Sequence, residues 1–322
     1  MLASRAAVTQ GPTLVTGAAG FVGAHLVPAL CAAGREVIGV HLPGLSRGPA
    51  PVEWRACDLR DRAAVDALVA AVRPGAVVHL AALAAPAEVE RAPLEALRAN
   101  VLATDALLGA VARSGRRVRF LFVSTGDAYG LSAADAAPRR ESDPLRPPNV
   151  YAATKAAGEV AAQLARGHGV DTLVARPFNH TGPGRPPLYA EASFAQQLAR
   201  IERGAAPPLL RVGNLDAVRD FSDVRDVVAA YVLLLERGEV GGTYNVCSGR
   251  GRTVREVLDH LRSRARARPA VEVDPARWRE LAPGKVALVG DASRLRELGW
   301  APVRSLETAL DELLDAYRAE AS

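Results

Sequence analysis

Residues 13–30 read TLVTGAAGFVGAHLVPAL, in which a short apolar segment, a glycine-rich turn and a longer apolar segment follow one another. The first segment is typical of a buried strand and the last of a helix. The turn between them has G-x-x-G-x-x-G spacing and contains Gly17, Gly20, Phe21, Val22 and Gly23. Glycines at a strand-to-helix turn let the backbone approach a pyrophosphate, which rests on the positive end of the helix. The stretch predicts a dinucleotide-binding turn, although for this motif alone a purely structural turn stays open.

Apolar runs alternate with helical segments through the first half of the sequence. Strands are predicted at 36–40, 76–80, 120–124 and 172–176, and helices at 63–72, 94–112 and from residue 151 onward. Such alternation predicts an α/β fold, in which helices cover both faces of a doubly wound parallel sheet, the Rossmann arrangement. Ligands on such sheets bind beyond the carboxyl ends of the strands.

The alternation loosens after Pro177, where prolines interrupt the chain and strand and helix patterns mix. We therefore expect two parts. Residues 1–178 are predicted to form the NAD(P)-binding domain, with a return to its sheet at about 217–247 through the segment Thr243–Val246. Residues 179–322 are predicted to form a smaller mixed α/β lobe that binds the substrate.

The composition argues against several classes of function. The formal charge is +5 and the isoelectric point is near 9.4, but the arginines are scattered through every segment, so nucleic-acid binding is not expected. The three cysteines lie far apart without C-x-x-C spacing, which predicts neither a disulfide framework nor a metal site and fits a reducing cytoplasm. No uninterrupted apolar stretch has the length needed to cross a membrane.

Lys155 is one of only two lysines among 40 basic residues, and it follows Tyr151 by four positions in an alanine-rich helical segment. Side chains at i and i+4 share one helix face, so the ammonium group can lie beside the phenol. A nearby cation lowers the pKa of a phenol, and a Tyr tuned in this way can exchange a proton with a sugar or alcohol oxygen. For the pair alone, a packed Tyr and a solvated Lys remain an alternative.

Other chemistry-bearing groups follow the predicted strands. They are Asp58-Leu59, His79-Leu80-Ala81-Ala82 and Ser124-Thr125-Gly126-Asp127. Asp58 could instead cap the helix that begins near Asp61. His79 is expected to pack inside its strand, because no His or Cys is spaced to share a metal with it. Asn100 is expected to have a structural role, in which its side chain bridges backbone near the active site.

Together with the glycine turn, these ordered motifs resemble the extended branch of the short-chain dehydrogenase/reductase superfamily, the NAD-dependent epimerase/dehydratase family. The resemblance covers nearly the whole chain. It implies that Asp58 and Leu59 bracket the adenine and that Leu80, Ala81 and Ala82 line the central part of the cofactor. It also implies that Thr125 hydrogen-bonds the reacting oxygen, that Tyr151 is the proton donor or acceptor, and that Lys155 holds the nicotinamide ribose.

The carboxyl half resembles, within this family, the GDP-4-keto-6-deoxy-D-mannose reductases (GDP-D-rhamnose synthases) and the related GDP-mannose 4,6-dehydratases. The matching segments begin at Arg176, Ser193, Val212 and Tyr244. This resemblance implies that Asn179 meets the sugar diphosphate, that His180 lies against the cofactor and that Arg219 pairs with phosphate, with Arg185 and Arg279 as further substrate-binding residues. A salt bridge from Arg219 to Asp220, Asp223 or Asp226 is the alternative.

Two segments depart from the reductase pattern. The stretch Arg277–Lys285 is longer than in the reductases and its proline pattern is broken, and Leu83–Pro86 replaces polar residues of the family. Both departures leave the nucleobase and the sugar configuration open.

The position two residues after Thr125 helps to separate the two activities. A dehydratase of this family uses a Glu there, whereas Gly126-Asp127 looks like the reductase. Asp127 is one methylene shorter than Glu, and a small displacement of a catalytic group can lower the rate by orders of magnitude. We therefore expect an NAD(P)H-dependent 4-ketoreductase that acts on a nucleotide-activated 4-keto-6-deoxyhexose, most readily GDP-4-keto-6-deoxy-D-mannose, and gives GDP-D-rhamnose or its talose epimer. Its catalytic residues would be Thr125, Asp127, Tyr151 and Lys155.

Two alternatives stay open. One is a nucleotide-sugar 4,6-dehydratase or 4-epimerase that keeps its NAD(P) bound through the cycle. The other, more remote, is a non-catalytic dinucleotide-sensing regulator built on the same fold.

The second predicted strand ends with the sequence Val37-Ile-Gly-Val-His41, which has no acidic residue to bind the adenosine ribose, and Arg35 and Arg47 flank it. An acid there favours NAD, whereas a nearby Arg accommodates a 2′-phosphate, so NADPH is the expected cofactor, with NADH also accepted. The helices at 94–112 and from residue 151 carry broad alanine-rich faces, which predict a homodimer with a four-helix interface.

Overall fold

The computed structural model describes residues 10–45, 48, 51–133, 135–274, 277 and 286–320. Its strands are β1 Thr13–Thr16, β2 Val37–His41, β3 Glu53–Ala56, β4 Ala76–His79, β5 Arg119–Val123, β6 Ser132–Ala133, β7 Asp171–Pro177, β8 Asn179–Thr181, β9 Leu209–Val212, β10 Val218–Asp223, β11 Thr243–Val246, β12 Gly251–Thr253, β13 Ala270–Val273 and β14 Val286–Leu288.

The helices are α1 Phe21–Ala32, α2 Arg62–Val72, α3 Pro86–Arg91, α4 Pro93–Leu97, α5 Ala103–Arg113, α6 Val150–Arg166, α7 Ala190–Glu202, α8 Val224–Arg237, α9 Val254–Arg264, α10 Ser293–Glu297 and α11 Leu306–Ala319. A π-helical turn at Arg98–Leu102 joins α4 to α5, and a 3-10 turn spans Gly126–Tyr129.

Seven parallel strands form the central sheet, in the order β3-β2-β1-β4-β5-β7-β11. The chain leaves β1 in one direction and returns to β4 on its other side, so a crevice opens at the carboxyl ends of these two strands. The order confirms the doubly wound parallel sheet predicted from the βα alternation. The segment Thr243–Val246 does return to the sheet, where it pairs with β7.

Side chains that alternate along the strands build one apolar layer on each face of the sheet. Val15 belongs to the layer shared with α1 and α8, whereas its neighbour Leu14 belongs to the layer shared with α2, α5 and α6. Strands that are apolar on both faces, such as Leu14-Val15 and Phe120-Leu121, are what a sheet covered on both sides requires. The carboxyl ends of the strands are thereby fixed as a rigid edge.

A smaller mixed lobe lies beyond these carboxyl ends. Its strand β10 pairs in parallel with β8 and β14 and antiparallel with β12, while β9 pairs with β13. Helices α7, α9 and α11 enclose a separate apolar cluster that includes Phe194, Leu261 and Leu313. The parallel register sets Asn179 beside Phe221 and His180 beside Ser222, so β8 carries residues from the end of β7 into the lobe.

The helix predicted at 94–112 is interrupted in the structure. It forms α4, then the π-helical turn, then α5, and the wide turn brings Asn100 inward, where its side chain binds backbone of another segment. None of the helices in the described part of the chain combines the length and the apolar character needed to cross a membrane.

Candidate active site

A continuous cleft of about 1940 Å³ runs along the carboxyl ends of the central strands and under the smaller lobe. Pockets for a single small ligand have volumes of about 300–1,000 Å³, so this cleft has room for a dinucleotide and a second ligand. Its wall includes most of the residues singled out from the sequence: Gly17, Gly20, Phe21, Val22, Gly23, Asp58, Leu59, Leu80, Ala81, Ala82, Thr125, Asp127, Tyr151, Lys155, Asn179, His180, Arg185 and Arg219.

The glycine turn is closed by backbone contacts that leave no space for side chains. Gly17 has φ +67°, and a Cβ there would lie 2.8 Å from the backbone nitrogen of Ala81. A Cβ on Gly23 would lie 2.4 Å from the carbonyl oxygen of Ala18. Helix α1 begins after Gly20 with no side-chain cap and no acidic residue in its first turn, so its first N–H groups are free to bind an anion. This cradle fits the pyrophosphate of a dinucleotide.

Asp58 accepts three hydrogen bonds from the guanidinium of Arg60, at 2.9, 3.2 and 2.8 Å, and hydrogen bonds from Arg60 lower the pKa of its carboxyl. The cap of α2 is Asp61, which accepts from the N–H groups of Ala63 and Ala64. Asp58 therefore does not cap that helix, and its side chain lies on the cleft wall.

His79 is completely buried and lies between two hydroxyl groups, with Nδ1 2.7 Å from Thr16 Oγ1 and Nε2 2.9 Å from Thr104 Oγ1. Burial, and secondarily the charge of Lys155, lowers its pKa to about 3, so the ring is neutral. This confirms that His79 packs inside its strand. Nowhere in the described ranges do three His, Cys, Asp or Glu side chains converge as a metal site would require.

Asn100 bridges backbone beside the cleft, as expected. Its Oδ1 accepts from the N–H of Leu83 at 2.7 Å, and its Nδ2 donates to the carbonyl of Leu83 and to Thr154 Oγ1. Since Thr154 precedes Lys155 on α6, the π-helical turn fastens the cleft wall to the helix that carries Tyr151.

Thr125 and Asp127 lie where β5 ends. Thr125 Oγ1 accepts from the N–H of Asp127 at 3.1 Å, which leaves the Thr125 hydroxyl proton free to donate into the cleft. Burial raises the pKa of the Asp127 carboxyl, whereas the charges of Arg219 and Arg185 oppose that effect. The charges of Arg219 and Arg185 thus help to accommodate the buried carboxyl of Asp127 next to Tyr151, the proposed proton donor.

Tyr151 and Lys155 lie on α6 as predicted, but the pKa of Tyr151 changes in the direction opposite to expectation. Burial, then the neighbouring Tyr189 and Asp127, raises the pKa of Tyr151, while Arg185 opposes them. Lys155 is only 3% exposed and its Nζ lies 4.7 Å from the centre of the Phe122 ring. Burial lowers the pKa of Lys155 to about 8 against the opposing charge of Glu159. The Tyr151 phenol is consequently protonated near neutral pH, which is the form a proton donor needs.

Arg219 donates to the carbonyl of Val218 at 2.9 Å and faces Asp127 across the cleft. The salt bridges considered from the sequence do not form within the described residues. Asp220 binds backbone N–H groups at Ser248, Gly249 and Gly290, Asp223 binds Arg225, and Asp226 binds the backbone at Val303 and Arg304. Arg219 is therefore available to an anion.

Arg185 and His180 lie on the side of the cleft nearest α1. The Arg185 guanidinium stacks 3.5 Å from the centre of the Tyr189 ring and 5.2 Å from that of Phe21, and it donates to Glu191 at 3.3 Å. His180 stacks on Phe21, and burial followed by the charge of Arg185 lowers its pKa to about 4. Asn179 is partly buried between β7 and the lobe.

Sequence reasoning missed Tyr189, which holds Arg185 in place and lies beside Tyr151. The only trace in the sequence is an aromatic residue four positions after Arg185 in a proline-rich segment. Arg47 and Arg279 lie outside the described residues. Arg277, in the same divergent stretch as Arg279, is exposed on the cleft wall and donates to Ser193 Oγ at 3.3 Å.

Comparison with known proteins gives consistent matches along the chain. Residues 13–247 match the NAD dependent epimerase/dehydratase family. The GDP-6-deoxy-D-mannose reductase of Pseudomonas aeruginosa is 38% identical over 95% of this chain and 96% of its own length. The structure of RMD from Pseudomonas aeruginosa complexed with NADPH superimposes with a TM-score of 0.83, at 35% identity over 97% of this chain and all of the other. The UDP-glucose 4-epimerase of Thermus thermophilus, in complex with NAD, also gives 0.83, at 31% identity over 95% and 99%.

Proposed function

Because the chain belongs to the NAD dependent epimerase/dehydratase family, we propose that it is an NAD(P)H-dependent 4-ketoreductase of a GDP-activated 4-keto-6-deoxyhexose. The substrate that fits best is GDP-4-keto-6-deoxy-D-mannose, and the product is GDP-D-rhamnose or its talose epimer. One observation carries the proposal: Tyr151 and Asp127 line the same cleft as the guanidinium groups of Arg185 and Arg219. A proton donor beside an anion-binding pair is what a sugar diphosphate requires.

The chain's own residues perform four tasks in this reaction. The cradle of Gly17, Gly20 and Gly23 receives the dinucleotide pyrophosphate at the start of α1. The Thr125 hydroxyl donates to the C4 oxygen, and Tyr151 delivers its phenolic proton to that oxygen as negative charge develops on it. When bound, the nicotinamide supplies the hydride that adds to C4. Lys155 binds the cofactor ribose and stabilises the phenolate that remains.

The nucleotide sugar, the second ligand of the cleft, is held by residues of the smaller lobe. Arg219 and Arg185 present guanidinium groups suited to the two phosphates, and Asn179 presents an amide to the same region. The charges of Arg219 and Arg185 favour the ionised form of Asp127, which burial opposes. The Asp127 carboxylate and the substrate diphosphate therefore compete for the same two guanidinium groups.

The preferred cofactor is NADPH, with NADH also accepted. Strand β2 ends in His41 on the cleft wall, so no carboxylate stands there to repel a 2′-phosphate. The related RMD structure contains NADPH, whereas the related epimerase contains NAD. The ratio of kcat/KM for the two cofactors tests the preference, and a value clearly in favour of NADH would refute it.

A direct assay separates the reductase from its alternatives. Purified protein would be incubated with GDP-4-keto-6-deoxy-D-mannose and NADPH, and the products identified by mass spectrometry and NMR. The reductase consumes one NADPH for each sugar reduced. Interconversion of UDP-glucose and UDP-galactose without added cofactor would establish an epimerase instead, and conversion of GDP-mannose to a keto sugar would establish a dehydratase. Tight dinucleotide binding without turnover of any of these would favour a regulator.

A homodimer and a cytoplasmic location complete the proposal. Exposed apolar side chains cluster on α4, the π-helical turn and α6: Leu94, Leu97, Leu102, Val160 and Leu164. Exposed apolar groups on neighbouring helices fit a four-helix contact between two copies. The three cysteines are unpaired thiols, which fits a reducing compartment. Cell fractionation tests the location.

A further inference from the structure

A buried carboxylate lies directly behind the proposed catalytic residues. Glu159 follows Lys155 by one turn and Tyr151 by two turns on α6, and it is only 2% exposed. Its carboxylate accepts hydrogen bonds from Arg176 Nε at 3.0 Å and from Arg176 Nη2 at 2.6 Å. It also accepts a short hydrogen bond from the hydroxyl of Ser124. Three elements therefore meet at this one group: α6, β5 and β7.

The contact with Ser124 bears on the catalytic geometry. Ser124 immediately precedes Thr125, whose hydroxyl faces the cleft. The backbone N–H of Ser124 donates to the carbonyl of Ala175 on β7 at 2.8 Å. Glu159 thus links the end of β5, which presents Thr125, to the helix that presents Tyr151. The link therefore connects the two backbone segments that carry these hydroxyls.

Arg176 extends the cluster to the turn that carries Asp127. Its Nη1 donates to the hydroxyl of Tyr129 at 2.6 Å, and its guanidinium lies 4.8 Å from the centre of the Tyr129 ring. The Tyr129 hydroxyl donates in turn to Asn245 Oδ1 on β11 at 2.8 Å. Since Tyr129 ends the 3-10 turn that contains Asp127, the same cluster contacts each element that carries a catalytic candidate: the end of β5, the 3-10 turn and α6.

We propose that Glu159 is a positioning residue for the catalytic candidates: it sets the spacing between Thr125 and Tyr151 and keeps Lys155 charged. The inference rests on the proposed function, because it names what organises that site. A pair of ions is an expensive choice for a protein interior, and apolar side chains of similar volume would often stabilise the fold at least as well. The hydrogen-bonded connection to Ser124 and the charge near Lys155 are what apolar side chains would not provide.

The surroundings of Lys155 show which group favours its charged form. On its own helix it has Tyr151 on one side and Glu159 on the other, β5 presents the Phe122 ring, and β4 presents the neutral ring of His79. Arg176, on β7, lies beyond Glu159 and carries the same charge as Lys155. Among these groups Glu159 is the one that favours the ammonium form, which burial opposes. Without its charge, Lys155 should lose its proton at a lower pH.

The test compares four variants with the wild type by kcat and KM across pH, by titration of NADPH binding across pH, and by thermal unfolding. Glu159→Gln removes the charge and keeps an acceptor for Ser124, Glu159→Asp keeps the charge and shortens the reach, and Ser124→Ala removes only the link to β5. Glu202→Gln is the matched control, because Glu202 is a buried carboxylate paired with Arg318 at 2.8 Å in the smaller lobe.

Glu159→Gln should lower kcat about tenfold or more and move the basic limb of both pH profiles down by about one unit. Glu159→Asp and Ser124→Ala should lower kcat by about tenfold, leave KM for the sugar nearly unchanged and leave the basic limb in place. Glu202→Gln should change stability alone. If Glu159→Gln lowers only the unfolding temperature, with kcat and both limbs as in the wild type, the inference is wrong.

Two arrangements keep the test decisive. Should Glu159→Gln fail to fold, Glu159→Asp and Ser124→Ala carry it, and wild-type kcat in both would overturn the positioning role. Should the wild type not reduce the keto sugar, the proposed function fails, yet the NADPH titration still reports on Lys155. An unmoved basic limb of binding in Glu159→Gln would then refute the electrostatic part independently.

Discussion

The proposed chemistry depends on the hydroxyl of Tyr151. Tyr151→Phe should lower kcat by about two to four orders of magnitude, because the variant retains the ring and its packing but has no proton to donate. Circular dichroism and the affinity for NADPH should stay close to those of the wild type. Turnover near the wild-type rate would end the proposed role of Tyr151.

Lys155→Ala provides a comparison with Tyr151→Phe. It should weaken NADPH binding as well as turnover, since we propose that the ammonium both holds the ribose and supports the phenolate. A variant with normal cofactor affinity would restrict Lys155 to the proton-transfer step.

A different tyrosine offers a prediction about stability. The hydroxyl of Tyr231, on α8, is completely buried and has no hydrogen-bond partner among the described residues. An unpaired buried hydroxyl costs roughly 1–3 kcal/mol, so Tyr231→Phe should raise the free energy of unfolding by about 1 kcal/mol. Chemical denaturation of the cofactor-free protein measures this change. A loss of stability in the Phe variant would mean that the hydroxyl is in fact paired, for example through buried water.

At the scale of single residues the sequence identified the side chains but not their electrostatics. The i,i+4 spacing of Tyr151 and Lys155 correctly places both residues on α6. It also led us to expect a lowered pKa for the Tyr151 phenol, whereas burial raises that pKa. Burial is the largest cause of the raised pKa, and two residues distant in sequence add to the balance: Tyr189 raises the pKa of Tyr151 and Arg185 lowers it. Spacing along one helix carries no information about such cover.

Among the elements, the glycine turn gives the sharpest test of backbone geometry. Gly17→Ala should destabilise the fold and weaken dinucleotide binding, because its Cβ would both occupy a left-handed conformation and press on Ala81. Gly34→Ala is the matched control, since Gly34 has φ +77° but no atom within 4 Å of a Cβ. The control should lose only the conformational term, about 1–2 kcal/mol.

Comparison of the two glycine variants isolates the effect of close approach. Unfolding in denaturant gives the stability of each, and NADPH titration gives the affinity of each. We expect Gly34→Ala to bind as tightly as the wild type. Equal losses of stability and unchanged affinity in both variants would show that the contact between the turn and Ala81 has no consequence for binding.

The boundaries of helices and strands show where sequence periodicity stops being informative. Arg62–Val72 and Asp171–Pro177 agree with the predicted elements to within one residue at either end, because apolar spacing and flanking caps define them locally. The stretch 94–112 was predicted as one helix but contains the π-helical turn. The widened turn is stabilised by the bonds of Asn100 to Leu83 and Thr154, and no local pattern encodes partners 17 and 54 positions away.

At the scale of the whole molecule, the order of βα units was enough to predict the parallel sheet, but not the architecture of the lobe. Short strands such as β8 and β14 gain their identity by pairing with β10, which is distant in sequence. The convergence of Asp127, Arg185 and Arg219 depends on those pairings. For this reason the positions of Thr125, Tyr151 and Lys155 at the sheet edge followed from motifs, whereas the positions of Arg185 and Arg219 needed resemblance and structure.

Assembly is testable at the same scale. Leu164, on the outer face of α6, is 68% exposed and belongs to the apolar cluster proposed as the dimer contact. Leu164→Arg should convert a dimer into monomers at micromolar concentration, as measured by sedimentation velocity, because a buried unpaired charge opposes association. Val303→Arg, at an 84% exposed position away from the cluster, is the control. A monomeric wild type would refute the dimer and leave the active-site proposal intact.

The scarcity of lysine gives the cleft a built-in chemical reporter. The sequence contains only Lys155 and Lys285, so reductive methylation has two side-chain targets that peptide mapping can tell apart. An amine whose pKa burial has lowered to about 8 is unusually nucleophilic near neutral pH, and Lys155 is open to reagents only through the cleft. The mass added to the peptide that contains Lys155 therefore records whether the cleft was occupied. In a crude extract, that methylation footprint would distinguish loaded from empty enzyme without any purification or assay of turnover.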